Sequence, residues 1–165
     1  MVCIYTLLYD YVQSGSVNIP DSCDLTCIFL LQAAKYNKQE GSTIREWILK
    51  SQGAAAAKDI GDRHFRKPFR QENFQQVNMG IMFDINLAKF QQNQKLRRWL
   101  LETDSKSYIL HTMNSDAFWG LGQLEQDGKY HGLNWNGRIL MAVRHILLKL
   151  VRFAAANRSQ PLSNI

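Results

Sequence analysis

The chain is basic overall, yet its first 31 positions contain no Lys or Arg. Cysteine is scarce too. Cys3, Cys23 and Cys27 are the only three, all near the start. No second cysteine pair or nearby histidine completes a zinc set, so no metal is expected. An odd number so placed gives no disulfide framework and favours a reduced, intracellular and cytoplasmic setting. Long apolar runs are missing as well. "VCIYTLLY" and "LTCIFLLQ" fall short of the roughly 20 residues that cross a bilayer. The first also lacks the basic flank of a signal peptide, so no membrane partner is expected. There is no RNP1, C2H2 or long Lys/Arg run, which leaves specific nucleic-acid reading with little support.

What is present describes one soluble domain. The 165 residues are 45% apolar and 21% charged, with a formal charge of +6. That length suffices for a core, and the basic balance attracts phosphate. From Gln32 onward apolar residues recur at helical spacing. Thr43 with Glu46 reads as a capping box, followed by a face of Ile44, Trp47, Ile48 and Gln52. "GAAAAKDIGD" reads as a short helix ended by Gly61, and "RHFRKPF" as a basic loop broken by Pro68. Phe74, Val77, Ile81, Ile85, Ala88 and Phe90 begin the strongest periodic signal, with "NQKLRRWLLET" a second helix after it. Met79 and Met82 read as core fillers. "SYILHT" is a short strand by composition. "RILMAVRHILLKLVRFAAA" is a long amphipathic helix facing inward through Ile139, Leu140, Val143, Ile146, Leu147 and Leu150. The expected fold is mainly α with a few short β-strands. Polar loops around 61–73 and 112–137 interrupt it, and function is expected where loops meet helix ends.

The segment "SDAFWGLG", Ser115 to Gly122, joins an acid, an aromatic pair and two glycines. Alone it reads either as a turn with a core Trp or as a reactive loop. Its neighbours add a resemblance. Gln32, Ala33 and Lys35 come first, then Lys89 and Phe90, then Leu96, Leu101 and Thr103. Asp116, Trp119, Gly120 and Gly122 follow, and last Asn134, Gly137, Leu140, Met141 and Arg144. In that order and spacing, over residues 32 to about 148, the chain resembles the NADAR, or YbiA-like, family. The resemblance implies cleavage of N-glycosidic bonds, in ribosylamino-pyrimidine phosphates of the riboflavin pathway or in ADP-ribosylated guanine. It implies no cofactor. The expected partner is a small nucleotide-like glycoside, with ADP-ribosylated guanine in nucleic acid as a related form.

Such chemistry needs a carboxylate for the oxocarbenium-like charge, a proton for the leaving base, an aromatic wall and a cation for phosphate. Carried onto this sequence, the resemblance makes Asp116 the catalytic acid. Lys35, Phe74, Trp119 and Asn134 become ligand-binding residues, with Phe74 at the place of a family Trp. Each has a plainer reading: a solvated lysine, a packed aromatic, a helix-capping Asn.

The chain also departs from the family pattern Ser-Glu-His-x-x-Gln-Ala-x-Lys. Here the segment reads "CIFLLQAAK", with Ile28 at the Glu position and Phe29 at the His position. A second family Glu corresponds to His111, which serves either as a substitute acid or base or as a polar strand end. The expected consequence is impaired cleavage; a non-catalytic nucleotide or ADP-ribose binding module is the alternative. Residues 1–31 match no family segment. "LTCIFLLQ" can be encoded by pyrimidine-rich codons ending in CAG, as a translated intron end would be. The expectation is a misassigned or truncated start at 1–31, a family domain over 32–152 and a polar tail over 153–165.

Overall fold

The computed structural model describes residues 23–36 and 38–158. The readings of Cys3, of "VCIYTLLY" and of the last residues of the tail lie outside them. Among the described residues there are six α-helices: α1 (Cys23–Ala34), α2 (Ser42–Leu49), α3 (Ala54–Asp62), α4 (Phe74–Gln92), α5 (Gln94–Glu102) and α6 (Trp135–Arg158). Short 3-10 turns cover Gln39–Gly41 and His64–Phe69. Two residues, Leu124 and Tyr130, form an isolated antiparallel bridge. The mainly helical fold read from the sequence is the fold observed. No described helix is long and apolar enough to cross a membrane.

The chain divides into two compact units, through Lys89 and from Phe90 onward. In the first, α1, α2 and α3 pack together. Their shared core is Ala33, Tyr36, Ile44, Ile48 and Ala57, flanked by Phe29, Leu49 and Ile60. Ala33 and Ala57 are wholly buried, and their small side chains let α1 and α3 approach closely. Gly61 serves the same approach: a Cβ there would overlap the Gln32 side chain. The short helix read from the sequence as ending at Gly61 ends at Asp62, one residue on.

Other expectations change here. Gly41, at the end of a 3-10 turn, is the N-cap of α2. Thr43 already lies inside that helix, so the capping box does not form. Trp47 is 51% exposed, so the inward face of α2 is Ile44 and Ile48, with Leu49 partly buried beside them. The basic "RHFRKPF" stretch is a 3-10 turn and not an irregular loop.

The break between α4 and α5 has a local cause. Asn93 leaves the helical conformation and its side-chain oxygen accepts the Leu96 N–H at 3.0 Å. That satisfies one of the donors a helix start exposes. In the second unit α5 packs on α6. Leu96 and Leu100 are buried on α5, and Ile139, Val143 and Leu147 on α6. α6 begins three residues before the Arg138 start read from the sequence, and it extends through Arg158 into the segment read as tail. Leu150, expected inward, is 49% exposed.

A buried cation ties the end of α5 to α6. Arg144 is 3% exposed. It donates to the Thr103 hydroxyl at 2.8 Å and to the Ser105 and Ser107 carbonyls at 3.2 and 2.8 Å. Its planar fork reaches three oxygens that a lysine could not span together.

Candidate functional site

The stretch "SYILHT" forms no strand. The side chain of Asn134 supplies its ladder instead, accepting the His111 N–H at 2.9 Å and donating to the Ile109 carbonyl at 2.9 Å. To do so Asn134 sits at φ 51°, in the left-handed region, which Asn tolerates better than most residues. It is buried, and it does not cap α6 through its side chain.

The loop "SDAFWGLG" does that capping with its backbone. The Ala117, Phe118, Trp119 and Gly120 carbonyls accept the N–H groups of Leu133, Trp135, Asn136 and Asn134, at 2.7, 3.2, 3.0 and 2.9 Å. The donors that the start of a helix leaves unpaired are thus satisfied by the loop. Two family segments, the Asp-x-x-Trp-Gly loop and the Asn-x-x-Gly helix, are one hydrogen-bonded piece.

Glycine is required where these strands of backbone cross. A Cβ on Gly137 would overlap the Ile109 carbonyl oxygen, and one on Gly132 the Leu121 carbonyl. In an open helix, Gly→Ala stabilises by about 1 kcal/mol. Gly137→Ala is expected to reverse that sign and destabilise by about 1–3 kcal/mol through overpacking. A thermal melt of the variant checks it.

Asp116 is fixed by the same loop. Its Oδ1 accepts the Trp119 N–H at 2.7 Å and the Phe118 N–H at 3.0 Å. No described residue bonds to Oδ2. The carboxylate is half-buried, held through one oxygen with the other left over. Trp119 stands edge-on to Phe118, ring centroids 4.9 Å apart. His111 Nδ1 lies 2.7 Å from the Asn136 amide nitrogen. With the amide donating, the ring's proton sits on Nε2. The second unit therefore gathers Asp116, Trp119, Asn134 and His111 around one loop and one helix start.

Lys35 and Phe74 lie in the first unit. Lys35 is 9% exposed at the end of α1, not a solvated charge. Its ammonium bonds to Asp62 and lies 5.8 Å from the centre of the Phe74 ring. Arg70 stands 3.8 Å from the same carboxylate, donates to the Tyr36 hydroxyl at 3.2 Å and bonds to the Gly61 carbonyl. The Lys35 carbonyl accepts the Gln71 N–H at 2.8 Å. Three buried oxygens in this unit, Gln32 Oε1, Gln71 Oε1 and Asn78 Oδ1, have no partner among the described residues. Sequence reasoning missed Asp62, Arg70 and Asn136, because their partners lie 27, 34 and 25 positions away. No short-range pattern marks such pairs.

Burial pushes the Lys35 ammonium below its ordinary value of 10.5, against the opposing pull of Asp62. The unfolded chain therefore holds this proton more tightly than the folded one. The burial cost is fully present below the folded pKa and is relieved as pH rises through it toward 10.5. Melting temperatures of the wild type and Lys35→Met, compared across that range, should shift in favour of the wild type as pH rises.

A helical domain whose acid-bearing loop caps its last long helix is the class that fold and site define. Residues 25–148 match the NADAR domain model, and the chain belongs to the NADAR family. It is 36% identical over 103 residues to the N-glycosidase YbiA of Escherichia coli strain K12, covering 62% of this chain and 59% of that protein. It is 29% identical over 143 residues to a riboflavin biosynthesis protein of Vibrio vulnificus, covering 84% of this chain and 36% of that protein. The NMR structure of E. coli YbiA superposes with a TM-score of 0.61 at 25% identity, covering 84% of this chain and 73% of that one. The chain thus spans only 36% and 59% of the length of these two curated relatives.

Proposed function

We propose that this chain is an N-glycosidase of the NADAR type, acting on the ribosyl–nitrogen bond of a ribosylamino-pyrimidine phosphate or of ADP-ribosylated guanine. The carrying observation is Asp116, whose Oδ1 is anchored by two backbone N–H groups while Oδ2 has no described partner. A fixed carboxylate needs little reorganisation when charge develops. In the reaction, the bond from C1′ to the base nitrogen breaks and the base leaves with the electron pair and a proton. Water adds at C1′, and Oδ2 stabilises the oxocarbenium-like charge or takes the proton of that water. Trp119 walls the base; within the first unit, Lys35 beside the Phe74 ring offers a cation and a ring face of the kind a phosphate-bearing ligand needs. His111, with Nδ1 held by Asn136, turns Nε2–H toward hydrogen bonding and can orient the leaving base, whose proton comes from solvent water.

The family Glu position holds Ile28, which carries neither charge nor proton. The reading is therefore a slowed hydrolase, and the names of the relatives support the bond type. Ile28 also favours a second reading, a module that binds nucleotide or ADP-ribose without cleaving it. Incubation with each substrate separates the two. Release of free base that disappears in Asp116→Ala supports cleavage. Saturable binding with no release supports the binding module and sinks the first reading.

A further inference from the structure

The positive charge of this protein is not spread evenly. Residues 90–165 hold ten Lys and Arg against five Asp and Glu, and so carry five of the six net charges. α6 contains no acidic residue at all. Arg138, His145, Lys149 and Arg152 are exposed on it, and none forms an ion pair with a described acid. At about 100° per residue these four fall within a sector of about 60°, and at 1.5 Å per residue the stripe runs about 21 Å. Aromatic rings flank both ends: Trp135, with Arg138 over it at 5.0 Å, and Phe153, 68% exposed. None of these residues belongs to the site assigned above.

We propose that this stripe on α6 is a docking face for single-stranded nucleic acid, gripping the phosphate backbone without reading sequence. The charge complementarity is direct: three cations, Arg138, Lys149 and Arg152, with His145 among them, are paired with no described acid and lie on an acid-free helix that matches a line of phosphates. The exposed Phe153 ring at one end and the half-buried Trp135 at the other suit bases that a single strand leaves unstacked. No base-reading motif is required, because backbone binding is independent of sequence. A membrane surface fits less well. An interfacial helix needs a continuous free apolar face opposite its charges, and here most of that face is buried through Ile139, Val143 and Leu147, with Leu150 and Val151 exposed near its end. The inference is independent of hydrolysis, and it gives the chain a hold on a polymer whichever glycoside the site accepts.

The test is fluorescence anisotropy of the full chain with a fluorescein-labelled 20-nucleotide single strand of mixed sequence. A duplex of that sequence and vesicles of phosphatidylcholine with phosphatidylserine serve as comparison probes. With three phosphate contacts, from Arg138, Lys149 and Arg152, log affinity should fall against log salt with a slope of about −2. Lys149→Gln with Arg152→Gln should weaken binding roughly tenfold and cut the slope by about 1.4. Arg158→Gln, on the opposite side of the helix, should change neither, and all variants are exposed enough to keep the wild-type melting temperature. Salt-insensitive binding, equal loss in Arg158→Gln, or stripe-dependent binding of the duplex or the vesicles in preference to the single strand would each overturn the proposal. Base release from a free nucleotide substrate should be the same in the stripe variant as in the wild type. Loss of glycosidase activity alone would therefore count against the functional site and not against the stripe.

Discussion

Ile28→Glu is expected to raise the rate of base release by about 10²–10⁴, the usual worth of a positioned acid or base. Ile28 lies on α1 and is only partly buried, so a carboxylate there keeps some contact with water and folding survives. Ile28→Gln is the control. It adds a polar group of the same length but no charge, so it should give little of the gain. Single-turnover rates for the three proteins check the prediction. A gain in Gln equal to that in Glu would point to polarity alone, against a restored acid.

The second large effect concerns Asp116 and separates its two roles. Asp116→Asn keeps an oxygen for the Phe118 and Trp119 N–H groups, so the loop should hold and the melting temperature should stay near the wild type. It loses the charge that the transition state needs, and base release should fall by about 10²–10³. Asp116→Ala removes the acceptor as well, and should add a stability loss of about 1–2 kcal/mol, as lost caps do. A residue acting only as a turn would show the reverse order, with Asn harmless in every assay and Ala merely unstable.

The sequence made the helices legible where a period and a local stop coincide. α4, α5 and the middle of α6 announce themselves by apolar spacing, since one buried face must repeat every 3.6 residues. Expectations failed where a distant neighbour decided the outcome. Gly61 was legible as the end of its helix, to within one residue, but its second role, leaving room for Gln32 of α1, was not. "SYILHT" has strand composition, yet Asn134, more than twenty positions on, takes the hydrogen bonds a strand would use. Thr103 and Arg144 were both visible as family positions; that they bond to each other across 41 residues was not. The residues of the candidate site were legible only through the resemblance, because an isolated Asp-x-x-Trp-Gly has no period and no spacing rule. Their polar partners, Asp62, Arg70 and Asn136, were invisible for the same reason.

The most direct measurement is the time course of free base released from a ribosylamino-pyrimidine phosphate and from ADP-ribosylated guanine nucleotide. It compares wild type with Asp116→Asn at matched melting temperature. The account predicts measurable release by the wild type on one of the two, and at least a hundredfold less by the variant. Equal release by both proteins, or bound substrate returned intact by both, would contradict it.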